Sequence, residues 1–150
     1  MRLVIQRVTR ASVSIAGSVH SSIDAGMMVL VGVETGDTPA DVEWLAGKVA
    51  ALRIFNDEAG VMNRSIIDAG GDLLAVSQFT LTASTRKGNR PSYIRAARPE
   101  EAVPLYELFC SMMEERLGKE VKRGVFGADM QVELINDGPV TIIIDSRLKE

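Results

Sequence analysis

The chain has one histidine, His20, and one cysteine, Cys110, so a nucleophile–base pair of the Ser-His or Cys-His kind must be built on those residues. His20 follows the turn-forming Ala16-Gly17-Ser18 and is expected on a surface rather than as a catalytic base. Cys110 sits in a helical apolar pattern and reads as core. One cysteine gives no intramolecular disulfide and no cysteine-rich zinc site, and one histidine gives no histidine-rich metal centre. Glu114-Glu115 fit a solvated helix face, and Glu100-Glu101 fit a helix N-terminus, better than a general acid and base.

Three segments stand out. In Ser77-Gln78-Phe79-Thr80-Leu81 an apolar run enters three polar side chains where burial should be deep. Buried polar groups need partners, so the segment is either a satisfied internal network or a site, and ordinary strand Ser and Thr is the plain alternative. Thr80 is a possible nucleophile, but no base accompanies it. From Ser84 to Arg98 there are five cations and no acid: Arg86, Lys87, Arg90, Arg95 and Arg98. The remainder has twelve cations against twenty acids, net −8, so the segment is a local polyanion site or a solvated loop paired with an acidic surface. Tyr93 within it can stack on a base. Asn136-Asp137-Gly138-Pro139-Val140-Thr141 is a turn signal, with a trans Gly-Pro bond as the default. Glycine ahead of proline also leaves carbonyls that another molecule can approach closely.

The elements that must hold these segments read as follows. Leu3 to Ile15 and Val19 to Ile23 suggest strands around a hairpin turn, and Met27 to Val33 suggests a strand buried on both faces. Thr38-Pro39-Ala40-Asp41 starts a helix whose stripe is Val42, Leu45, Val49 and Leu52, with Trp44 off it. Asp57-Glu58-Ala59-Gly60 is a turn, and Leu73 to Leu81 another apolar strand. A second helix spans about Pro99 to Leu117, with stripe Ala102, Leu105, Phe109, Met112 and Met113, a possible kink at Pro104 and an end at Gly118. Ala128 to Ile135 and Val140 to Asp145 read as two strands joined by the Asn-Asp-Gly-Pro turn. The expectation is a single α+β domain over residues 1–150: six or seven strands in a largely antiparallel, curved or barrel-like sheet, with two main helices packed on it.

Composition agrees. A chain of 150 residues can bury about 70% of its unfolded surface, so no metal or disulfide is needed for a core. The hydrophobic fraction is 46% and the charged fraction 25%, which excludes disordered and low-complexity classes. Net charge −3 argues against a protein that coats nucleic acid with its whole surface. Arg2, Arg7 and Arg10 interrupt any signal-peptide stretch, and Met27 to Val31 is too short to cross a bilayer, so an intracellular, cytoplasmic protein with no membrane partner is expected.

Taken together and in order, Gln6-Arg7-Val8, Ser77 to Leu81 and Asn136 to Thr141 resemble the D-aminoacyl-tRNA deacylase family. Arg90-Pro91-Ser92 and Phe126 to Met130 fit as well, and the resemblance covers about residues 1–145. It implies a homodimer that hydrolyses the ester between a D-amino acid, or glycine, and the terminal adenosine of tRNA, with no cofactor, no metal and no DNA partner. It implies that Gly138-Pro139 is cis and enters the neighbouring subunit's active site as a chirality filter. Ser77, Gln78, Phe79 and Thr80 would line the catalytic pocket, with the Phe79 or Thr80 N–H as oxyanion donor. Phe126 and Met130 would pack near the adenine, Arg7 would hold the incoming loop, and Arg86, Lys87 and Arg90 would meet tRNA phosphates. Two other readings compete. One is an editing domain for L-aminoacyl-tRNA with a trans Gly-Pro bond. The other is a non-catalytic RNA-binding module that has no need of Ser77 to Leu81.

Overall fold

A computed structural model describes residues 1–149. The strands are β1 (Arg2–Ile15), β2 (Ser18–Ile23) and β3 (Gly26–Gly32), and helix α1 is Pro39–Ala51. A short ribbon of β4 (Phe55–Asn56) and β5 (Met62–Arg64) leads to α2 (Ile66–Ala69). Strand β6 (Asp72–Ser77), a 3₁₀ turn (Phe79–Thr82) and helix α3 (Pro99–Leu117) follow. Strands β7 (Lys122–Arg123) and β8 (Gln131–Asp145) complete the fold.

Helix α1 begins as its sequence dictates. Pro39 takes the first position, and the Asp41 carboxylate accepts the Thr38 backbone N–H at 2.8 Å. Helix α3 runs unbroken through Pro104 and stops at Gly118, whose φ is +68° and whose N–H donates to the Glu114 carbonyl at 2.9 Å. Tyr106 and Cys110 join its buried stripe, while Met112 is only half-buried.

The sheet is mixed. β1 pairs antiparallel with β2, β3 and β8, whereas β6 pairs parallel with both β3 and β7. The parallel pairs arise from crossovers instead of hairpins: the chain leaves β3 through α1 and returns through α2 into β6, then leaves β6 and returns through α3 into β7. Ser21 Oγ donates to the Arg123 carbonyl at 2.7 Å, which brings β2 against β7 and nearly closes the sheet into a barrel. Side chains alternate between two cores. Met27, Val29, Val31, Leu73 and Ala75 face α1 and α3, while Met28, Leu74 and Val76 face the second cluster. β1 changes sides along its length: Leu3 and Ile5 lie under the helices, Ala11 and Val13 in the second cluster. The change coincides with bulges between Gln6 and Val8 and between Val8 and Arg10.

Two sequence expectations are corrected here. Asn136 to Val140 does not join two strands by a turn, because β8 is one strand whose two halves both pair with β1. Asn136 opposes Val8 and Thr141 opposes Gln6, so Asp137 to Val140 bulge out opposite Arg7. The strand at Leu73 also ends earlier than expected, at Ser77. Gln78 turns the chain and Phe79 to Thr82 coil into the 3₁₀ turn, so strand alternation does not govern Gln78 and Thr80.

Candidate active site

The C-terminal end of β6 opens into a cleft of about 320 Å³. Ser77, Gln78 and Phe79 line one side, Phe126 and Met130 another, and Val31, Ala102 and Tyr106 are also in its wall. Thr80 is not in the wall, but its Oγ1 receives the Gln78 side-chain N–H at 2.5 Å. The Gln78 amide is thereby oriented by a neighbour in its own turn. The Tyr106 hydroxyl donates to the Ala75 carbonyl at 2.9 Å, and burial pushes its pKa far up, so it stays neutral.

The turn is held at several points. Gln78 N–H donates to the Val31 carbonyl at 2.8 Å, and Thr82 Oγ1 donates to the Phe79 carbonyl at 2.8 Å. Arg2 Nη1 donates to the Leu81 carbonyl at 2.9 Å. Arg95 Nη2 donates to the Thr82 carbonyl at 3.1 Å. Gly32 lets the turn lie on β3, since a Cβ there would stand 2.9 Å from Leu81 Cβ and 3.1 Å from the Gln78 carbonyl. The first turn bond is Leu81 N–H to the Gln78 carbonyl, so the Phe79 and Thr80 N–H groups precede the turn's own ladder. Of these two residues, Phe79 is in the cleft wall, next to Gln78.

The bulge on β8 is built with equal care. Asn136 Nδ2 donates to the Arg7 and Val140 carbonyls, both at 3.0 Å, and so closes the bulge at its neck. Arg7, only 7% exposed, donates through Nε to the Asp137 carbonyl at 3.2 Å and pairs with the Asp137 carboxylate at 3.2 Å. Its Nη1 donates to the Ile54 carbonyl at 2.7 Å. Within the chain, these contacts hold Arg7 to the bulge and to the segment after α1. The Gly138-Pro139 bond is cis. Neither residue lines the cleft of the same chain. Through the paired register, Arg7 is level with Met27 and Leu73, four residues before Ser77.

The basic segment is a loop pinned by a bridge between Ser84 and Ser92, with reciprocal hydrogen bonds of 2.9 Å. Arg86, Lys87 and Arg90 are exposed and form no ion pair among the described residues. Arg86 and Lys87 border a shallow depression with Ser84, Ser92, Ile94 and Arg95. His20 lies elsewhere, exposed on β2 beside Glu114 and Arg123. Cys110 is fully buried, and burial raises its thiol pKa to about 11.

A family model described as D-Tyr-tRNA(Tyr) deacylase matches residues 4–145. Curated proteins named D-aminoacyl-tRNA deacylase from Bacteroides thetaiotaomicron and Porphyromonas gingivalis are 60% and 62% identical over 150 residues, covering all of both chains. The chain belongs to the D-aminoacyl-tRNA deacylase family. It is a hydrolase acting on aminoacyl-tRNA. Among solved structures, one titled c-Myc DNA Unwinding Element Binding Protein superposes with TM-score 0.91 at 41% identity, covering 97% of this chain and 98% of that one. A probable eukaryotic D-amino acid tRNA deacylase superposes with TM-score 0.83, covering 95% and 97%. At 16% identity it attests the fold alone.

For this deacylase the structure brings Ser77, Gln78, Phe79, Phe126 and Met130 to one cleft, with Thr80 bonded to Gln78. It leaves Arg7, Gly138 and Pro139 on the bulge, and Arg86, Lys87 and Arg90 on the loop. Sequence reasoning missed Arg2 and Arg95 as holders of the turn, and Gly32 and Tyr106 beneath it. Only Arg95 carried a signal, as one of the five cations. The Arg2 and Gly32 contacts arise from pairings that local patterns do not reveal.

Proposed function

We propose that the enzyme is a homodimer which removes D-amino acids, and also glycine, from the terminal adenosine of tRNA, and that each cleft is completed by the partner's Gly138-Pro139. The observation that carries this reading is the separation of the two motifs within one chain. The bulge is elaborately braced, yet it is absent from the cleft wall and level with Leu73, four residues or about 13 Å short of Ser77. A second copy supplies the missing wall if the bulge reaches out of its own subunit.

The outer edge of β8 supports that partner. The strand is 15 residues long, pairs among the described residues only with β1, and leaves Ile135 and Ile143 exposed. A long apolar sheet edge is a surface that a second copy covers.

In this reading the terminal adenine packs against Phe126 and Met130, and the ester lies along the 3₁₀ turn. The Phe79 or Thr80 N–H stabilises the charge developing on the carbonyl oxygen. Gln78, oriented by Thr80, positions the ribose or the ester. Attacking water is assisted by the free ribose 2′-hydroxyl, and the α-ammonium group already activates the ester. The partner's Gly138 and Pro139 carbonyls test the Cα substituents. A D-substrate turns its side chain outward, an L-substrate drives it into fixed backbone, and glycine has nothing to reject. Arg86, Lys87 and Arg90 meet phosphates of the acceptor end, so binding weakens as salt rises. The cytoplasm, where tRNA is charged, is the corresponding location.

Deacylation of matched D- and L-tyrosyl-tRNA, with glycyl-tRNA as third substrate, tests the filter. Equal rates on the two hands would reject it. Subunit mixing tests the shared site. A Gln78→Ala, Thr80→Ala chain and a chain lacking Gly138-Pro139 are each expected to be nearly inactive. Their equal mixture should recover about a quarter of the wild-type rate, because half the dimers carry one intact site of two. No recovery, with heterodimers shown to form, would overturn sharing.

A further inference from the structure

In the reading proposed above the cleft takes one adenosine and one amino acid, and an aromatic surface continues beyond it. The Phe79 ring at the cleft wall is 55% exposed. Tyr93, on the basic loop, stands edge-to-face with it at 5.1 Å between ring centroids, with planes at 72°, and is 40% exposed. A pair that served only to fasten the loop would be buried. The loop is already fastened by backbone bonds, Ser84 to Ser92 at 2.9 Å, Thr35 N–H to the Arg95 carbonyl at 3.0 Å, and Ala97 N–H to the Val33 carbonyl at 3.0 Å.

Charge beside the rings is of one sign. Ser92 and Ile94, the neighbours of Tyr93, border the depression that also holds Arg86 and Lys87. No carboxylate occurs from Ser84 to Arg98. Glu34, which approaches Arg95 at 3.9 Å, is buried and pairs with Arg147 at 3.0 Å. An exposed aromatic face next to unpaired cations and hydroxyls is the surface chemistry that binds an unpaired nucleotide, the base on the ring and the phosphate on the cations.

We infer that Phe79 and Tyr93 form a stacking subsite for the base of the nucleotide preceding the terminal adenosine, with its phosphate in the Arg86–Lys87 depression. The inference rests on the ester occupying the cleft as proposed above. Its specificity is for single-stranded acceptor ends over free aminoacyl-adenosine. Stacking is tolerant of base identity, so the subsite selects the presence of a base and not its kind.

The test is a cycle between protein and ligand that needs no turnover. The probes are cytidylyl-adenosine carrying a 3′-linked D-tyrosyl amide, and the same compound abasic at its first nucleotide. Dissociation constants are measured for the wild type, Tyr93→Leu and Tyr93→Phe. Removing the base is expected to weaken wild-type binding by about 5- to 150-fold. For Tyr93→Leu the two probes should differ by less than about twofold, and Tyr93→Phe should restore the difference. Equal losses in wild type and Tyr93→Leu overturn the subsite. So does a changed sedimentation coefficient of Tyr93→Leu without a changed base effect, which would assign the pair to a protein interface. A wild type that binds both probes but hydrolyses no D-ester would sink the proposed function and leave the subsite judged on its own numbers.

Discussion

At Gly138 a single absent side chain carries two demands. Its φ is +126°, and a Cβ there would stand 2.8 Å from Val140 Cγ2 and 3.1 Å from Arg7 Nη2. From sequence alone, Gly138→Ala should harm turnover more than folding. The structure makes the same change strain the bulge itself, so the variant is expected to lose about 1–3 kcal/mol of stability and most of its activity. Thermal melts beside deacylation rates check this, and an unshifted melt would contradict the close packing. Thr80 is a cleaner probe. Thr80→Ala removes the acceptor of the Gln78 amide and should slow turnover by about 5- to 30-fold while the melt hardly moves, because one hydrogen bond of orientation is lost. Abolished activity with intact folding and tRNA binding would instead make Thr80 a nucleophile. Ser77 and Gln78 of the cleft stood out in the sequence because polar residues interrupt an apolar run there, Phe126 and Met130 came only through the family resemblance, and Tyr106 gave no sign. The partners of Arg7 were not legible, since Ile54 and Asp137 are distant in the chain and meet it only through the fold.

Among the elements, the 3₁₀ turn is where shape becomes chemistry. Its two last carbonyls are drawn by two arginines, the distant Arg2 on Leu81 and the nearer Arg95 on Thr82. Arg95→Ala should lower kcat by roughly tenfold with a smaller change in KM, because the turn's N–H donors lose their aim while the adenine wall stays. A pure KM effect would refute that role. Arg2 is itself fixed by Asp145 at 2.9 Å. Burial works against the Asp145 carboxylate, but the Arg147 N–H and Arg2 more than offset it, and its pKa lies below the usual value. The unfolded chain then holds this proton more tightly, so the contribution is complete above about pH 4 and is lost as pH falls. The stability gap between wild type and Arg2→Met should therefore be wide at pH 7 and narrower at pH 3, as melts at both values would show. Helices, the first strands and the curved sheet were legible because periodicity and caps are local signals. The 3₁₀ turn and the continuous β8 were not. Asn-Asp-Gly-Pro looks like a hairpin turn in any window, and only the shared pairing of both flanks with β1 makes it a bulge.

For the whole molecule, the proposed pairing along β8 makes assembly and catalysis one event. Ile143 is 63% exposed on that strand. Ile143→Asp is expected to yield monomers in sedimentation and to lose activity in proportion, since each cleft loses the partner's bulge. Monomers with full activity would show that one subunit suffices. A different consequence lies in the ladder between β1 and β8, which runs from Arg2 opposite Asp145 to Ser14 opposite Gln131. The second segment of the polypeptide to form this ladder is also nearly the last to be synthesised. On the ribosome the central strand must wait, one edge bare, for most of translation, and loop-closure entropy slows its final capture. Newly made chains of this protein thus pass through a long aggregation-prone interval, and any truncation that removes the closing segment leaves that interval permanent.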